Sequence, residues 1–157
     1  MSKNWKDIWS KRPSMSGPTL QELIELDGFD NPGTSFDEQA WTGYVKEFQK
    51  SLKIQERDSL FEYGCGAGAF IYPMFMSGHT IGGVDYSETQ IQTAHDAMPS
   101  AQFQVADIRN FELETKYDFT IAHSVFQYLD CLNSALNVCK SMIALHTFNA
   151  LLRQSRY

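Results

Sequence analysis

Between Asp58 and Ile108 the chain contains no lysine and no arginine. The same stretch holds six carboxylates: Asp58, Glu62, Asp85, Glu88, Asp96 and Asp107. A phosphate bound here would meet no basic side chain, whereas a positive charge would meet several partners. Cysteine is scarce and odd in number (Cys65, Cys131 and Cys139), with no CxxC pair. That speaks against a disulfide framework and a zinc site, and no metal is expected. No apolar run approaches the roughly 18 residues that span a bilayer. Met1 to Trp9 is polar with aromatic interruptions rather than a secretory core. The reading is a reducing, cytoplasmic setting without membrane contact. Clustered cations are also lacking. Net charge is -6 with pI near 5.1, which argues against a nucleic-acid footprint. Eight of the 13 Lys and Arg residues lie at or before Arg57.

What is present is ordered by period. At 157 residues the chain is long enough for a real core. Apolar residues at helical spacing predict helices over Asn4 to Lys11, from Leu20 to about Gly28 with Thr19 as cap, and through Trp41, Tyr44, Val45, Phe48 and Leu52 with Ser35 or Thr34 as cap. Strands are predicted at Ser59 to Tyr63, Thr80 to Asp85, Gln102 to Ala106 and Tyr117 to His123. Helices are predicted between them: Ala67 to Met76, with Pro73 as a kink, and Ser87 to Met98, opened by a Ser87–Gln90 capping box. A last helix is expected from Asp130 to about Leu152, with Leu132, Ala135, Leu136, Cys139, Met142 and Ile143 inward. This alternation specifies an α/β fold, a Rossmann-like parallel sheet with flanking helices. Residues 1–55 read as an N-terminal helical lid or cap, and 56–157 as the ligand-binding domain.

The sequence Leu60-Phe61-Glu62-Tyr63-Gly64-Cys65-Gly66-Ala67-Gly68-Ala69 places glycines between a strand and a helix. Glycine permits the tight turn and leaves backbone open to a ligand. Asp85 ends the next strand, where an acid accepts ribose hydroxyls. This spacing suits NAD and S-adenosylmethionine (SAM) alike. Glu62 separates them. A carboxylate beside a pyrophosphate is costly, whereas beside a sulfonium and an ammonium group it is favourable.

Four segments then fall in order: Glu62-x-Gly64-Cys65-Gly66-x-Gly68, Gly83-Val84-Asp85-Tyr86-Ser87, Ala106-Asp107-Ile108, and Tyr117-Asp118-Phe119 through Ser124 to Leu129. Together they resemble the class I SAM-dependent methyltransferase superfamily. The resemblance implies that Glu62, Gly64, Cys65, Gly66 and Gly68 line the methionine part of SAM and that Asp85 takes the ribose hydroxyls. It implies that Tyr86 packs near the adenine, that Asp107 and the Ile108 backbone meet the adenine, and that His123 and Ser124 close the site below the methionine. Transfer to a small-molecule acceptor would follow by direct displacement, so a base is needed only if the acceptor must lose a proton. His123, at the carboxyl end of the fourth strand, is the candidate catalytic residue. Trp5, Trp9, Trp41 and Tyr44 are candidates for an aromatic lid.

The family sheet has seven strands, and this sequence is read to supply four. After Pro99 there is neither Gly nor Pro to punctuate a further strand. The expectation is a sheet lacking its last strands, in a truncated form with weakened activity. Its strand-four edge would be open for self-association. Two alternatives stand beside the methyltransferase: an NAD-type oxidoreductase, and a non-enzymatic SAM-binding fragment acting through that edge.

Overall fold

The computed structural model describes residues 9, 11–30, 36–129, 131–144 and 150–153. Most of the expected Asn4–Lys11 helix, including Trp5 and Ile8, lies outside them.

Helix α1, Leu20–Leu26, opens on a full capping box. The Thr19 hydroxyl accepts from the Glu22 amide, and Glu22 accepts from the Thr19 amide at 2.7 Å. Helix α2, Glu38–Leu52, is capped by Asp37, which accepts from the Ala40 amide at 2.7 Å. The cap is thus neither Ser35 nor Thr34, which are outside the described residues. Both helices bury an apolar stripe: Leu23, Ile24 and Leu26 from α1, and Trp41, Val45 and Phe48 from α2.

Strand β1, Ser59–Tyr63, leads into the glycine loop. Helix α3, Tyr72–Met76, begins five residues later than expected because turns follow Gly66. Pro73 therefore falls in its first turn, where a missing N–H is harmless, and it kinks nothing. Strand β2 is Thr80–Asp85 and helix α4 is Glu88–Ala97. Ser87 holds the N-cap position of α4 but makes no side-chain cap bond. Its hydroxyl faces that of Thr89, and the buried Gln90 amide donates to the Leu26 carbonyl at 3.3 Å. The expected capping box is not formed, because Gln90 is turned into the contact with α1.

Strands β3, Gln102–Val105, and β4, Phe119–His123, follow. Helix α5 is Leu132–Ala144, and strand β5 is Ala150–Arg153. The sheet runs β3-β2-β1-β4-β5, and every pair is parallel. It remains short of seven strands among the described residues. Two expectations fail here. The last helix does not run on to Leu152, since Ala150–Arg153 is strand, and β4 is not an open edge. Thr120, Ile121, Ala122 and His123 pair with Ala150, Leu151, Leu152 and Arg153. The backbone groups of β4 need partners, and this segment supplies them. Self-association or partner binding through a bare β4 edge loses its basis.

Strand alternation splits the core between two faces. Leu60, Ile81, Phe119 and Ile121 meet the first four helices, while Phe61, Tyr63, Val84 and Ala122 meet α5 and the loop before β4. Helix α5 presents Val138 and Met142, both fully buried, rather than Leu132 and Leu136, which are 74% and 46% exposed. Its orientation is set by Ser141, which lies 3.1 Å from the Tyr63 hydroxyl and donates to the Phe111 carbonyl at 2.8 Å. His79 is buried between Gln49 and the Asp58 carbonyl. Among the described residues no helix is long and apolar enough to cross a membrane.

Candidate cofactor site

The carboxyl ends of β1, β2 and β4 converge on the glycine loop. Gly64, Gly66 and Gly68 all have positive φ (72°, 55° and 89°). At Gly64 a Cβ would meet Val125 Cγ2 at 2.3 Å, so the loop after β4 packs onto bare backbone. Cys65 is buried, and its thiol points to the Gly66 carbonyl. Burial and the carboxylates Asp85, Glu62 and Asp27 push that thiol well above its ordinary value, which disfavours its thiolate.

Three carboxylates surround this loop. Asp85 Oδ2 accepts from the Gly66 amide at 3.1 Å, and Oδ1 accepts from the Ser87 amide at 2.9 Å. Glu62 is 2% exposed, and its Oε2 is buried without a hydrogen-bond partner. Asp27, the C-cap of α1, accepts from the Ala67 amide at 2.7 Å with one oxygen and from the Ala69 amide at 2.9 Å with the other. Burial raises all three acids, most strongly Glu62, whose charge Asp27 and Asp85 also oppose. Asp27 is pushed up to about 7 despite its two amide bonds and the attraction of Arg12.

At the end of β4, His123 is 6% exposed. Its ring stacks on Phe70 at 4.0 Å, with Phe29 and Trp41 beside it, and its Nε2 lies 3.0 Å from the Tyr44 hydroxyl. Burial holds it down to about 4, so it is neutral near pH 7. Ser124 follows with φ 53°, a left-handed residue that turns the chain at the strand end.

Residues 61–145, just over half of the chain, match the family described as methyltransferase domain. The chain belongs to this family. The methyltransferase domain is 31% identical over 86 residues to the trans-aconitate 2-methyltransferase of Escherichia coli O157:H7, covering 53% of this chain and 34% of that one. It is 30% identical over 77 residues to malonyl-[acyl-carrier protein] O-methyltransferase 1 of Ilyobacter polytropus, covering 46% and 29%. Among solved structures it shares its fold with coclaurine N-methyltransferase bound to N-methylheliamine and SAH. That match has TM-score 0.65 and 15% identity, and covers 92% of this chain and 47% of that one. The chain spans about a third of the length of the curated relatives it matches.

Within the methyltransferase domain the remaining motif residues follow the ends of β2 and β3. Tyr86 is half-buried just after β2, and burial raises its phenol. Ile108 is 7% exposed and belongs to the core on the α5 face. Asp107 is gripped by Arg109, whose Nε lies 2.9 Å and 3.0 Å from its two oxygens. That cation stands one residue beyond the stretch that lacks lysine and arginine. Trp41 of the supposed lid is buried at 1% exposure and donates its indole N–H to the Ala69 carbonyl at 2.8 Å. Trp9 packs edge-on against Tyr128 under the Arg12 guanidinium. The residue that sequence reasoning missed is Asp27. It stands 40 residues before its nearer loop partner, and its only local mark is an acid at the end of an amphipathic helix.

Proposed function

We propose that this chain is the cofactor-binding part of a SAM-dependent methyltransferase acting on a small-molecule acceptor. Glu62 carries the reading. A buried carboxyl oxygen without a partner, facing two further acids, is costly alone and is compensated by a cationic ligand. A pyrophosphate would add repulsion, so the NAD-type oxidoreductase, which shares the glycine spacing and Asp85, is not favoured. The relatives named for trans-aconitate and malonyl-acyl-carrier protein support a metabolite-type acceptor.

When bound, SAM supplies an already activated methyl group. The protein's part is alignment and exclusion of water. Glu62 and the Gly64–Gly68 loop, with Cys65 and Gly66 between, would hold the amino-acid end. Asp85 would hold the ribose, and Tyr86, Asp107 and Ile108 the adenine. Ser124 and His123 would floor the site. His123 is the proposed base. It is neutral near pH 7 in its aromatic box, and its Nε2 lies 3.0 Å from the Tyr44 hydroxyl. We further propose that residues 1–55 act as a cap over residues 56–157, and that the setting is cytoplasmic.

The test is calorimetric titration of the purified chain with S-adenosylhomocysteine and with NAD, alongside Asp85→Ala. Micromolar binding of S-adenosylhomocysteine alone, lost in the variant, is expected. NAD binding, or no binding by a folded chain, overturns the reading.

A further inference from the structure

We propose that Asp27 is a third cofactor-recognising carboxylate, held on the amides of Ala67 and Ala69 so that it completes, with Glu62 and Asp85, an acidic cradle for the ammonium group at the amino-acid end of the ligand. The inference rests on the SAM reading above and extends it to a residue outside the matched family segment, which begins at residue 61.

Geometry supports this in two independent ways. Both oxygens of Asp27 are fixed, one on each amide, at 2.7 Å and 2.9 Å, so the carboxylate is oriented rather than loosely placed. It lies close enough to the loop that a Cβ on Gly66 would sit 2.3 Å from Oδ1. Separately, the buried Glu62 Oε2 has no partner, and the charges that oppose its ionisation are those of Asp27 and Asp85. A loop clamp alone would need no second buried acid beside it. The groups facing Asp27 are Arg12 from the segment before α1, Glu62 from the end of β1, the Cys65 thiol from the loop, and Asp85 from the end of β2. Arg12 opposes the rise of Asp27. The position of Asp27 also ties α1 directly to the loop, so the cap and the cofactor site share one side chain.

The sign of the pH dependence follows. A cation favours ionised Asp27. In the free protein Asp27 ionises near pH 7. Affinity for a ligand that places an ammonium group there should therefore rise as pH rises through that region. Removing Arg12 raises the Asp27 value further and should move the rise to higher pH.

The experiment titrates the purified chain, Asp27→Asn and Arg12→Met with S-adenosylhomocysteine, which carries an ammonium group, and with adenosine, which carries no charge. Each titration is run from pH 5.5 to 8, with a thermal melt of each ligand-free chain. Asp27→Asn should weaken S-adenosylhomocysteine about tenfold, leave adenosine within about twofold, and flatten the pH profile. Arg12→Met should shift the profile upward. Equal losses for both ligands, unchanged S-adenosylhomocysteine affinity, or a pH profile indifferent to either substitution overturns the proposal. If Asp27→Asn melts below the assay temperature, the Arg12→Met profile decides. Failure of the parent chain to bind S-adenosylhomocysteine would instead sink the SAM reading itself.

Discussion

Replacing Gly66 with alanine should couple energetically to Asp27. Gly66 has φ 55°, where alanine costs about 1–2 kcal/mol. The added methyl would lie 2.3 Å from Asp27 Oδ1 and 3.0 Å from its Cγ, and the three nearest heavy atoms all belong to Asp27. The carboxylate must therefore leave. It would give up two charge-assisted bonds, each worth about 1.5–3 kcal/mol. It would regain some hydration and escape the Asp85 charge, so we take the net loss as about 2–3 kcal/mol. Gly66→Ala should then cost about 3–5 kcal/mol in the parent chain but only about 1–2 kcal/mol in an Asp27→Ala background, where the methyl has room. Urea denaturation of the four chains at pH 8, where Asp27 is ionised, measures this cycle. Additivity to within about 0.5 kcal/mol would refute the clamp and the reasoning built on it.

Glu62→Gln should stabilise the ligand-free chain at pH 8 by on the order of 1 kcal/mol while weakening S-adenosylhomocysteine binding, since it removes a buried acid whose ionisation burial and its acidic neighbours oppose and which the ligand's ammonium group needs; a melt and a titration read both signs. His123 is held down to about 4 against an ordinary 6.5, so the unfolded chain binds a proton that the folded chain refuses between those values. Stability should fall by about 3 kcal/mol more in the parent than in His123→Gln as pH drops from 6.5 to 4. The comparison must be between these two chains, because Asp27, raised to about 7, contributes with the opposite sign and loses its contribution as pH rises from about 4 to 7. Tyr44→Phe should cost about 1 kcal/mol in chemical denaturation by removing the partner of His123 Nε2. Deleting residues 150–157 should bare the β4 edge and raise the apparent mass relative to the parent chain, read by light scattering on a sizing column.

The sequence by itself determined the alternation of strands and helices, the glycine loop, and Asp85 at the end of the second strand. It also determined the acidic, cation-poor character of residues 58–108. Each of these is local, written in period, spacing and charge within a few tens of residues. Tertiary structure decided the rest. Asp27 reads as a loop acid until α1 packs against the glycine loop and brings it to amides 40 and 42 residues away. His123 and Tyr44 are 79 residues apart and meet only because α2 lies over the end of β4. Ala150–Arg153 has neither Gly nor Pro between Pro99 and itself and reads as more helix. It becomes a strand because β4 offers it a ladder of unpaired backbone groups. Gln90 has the spacing of a capping residue and is used instead to hold α1, since burial against Leu26 outweighs one local bond. Local pattern sets what each segment is able to form. Which side chains share a buried site depends on contacts between distant segments, and no window of the sequence contains them.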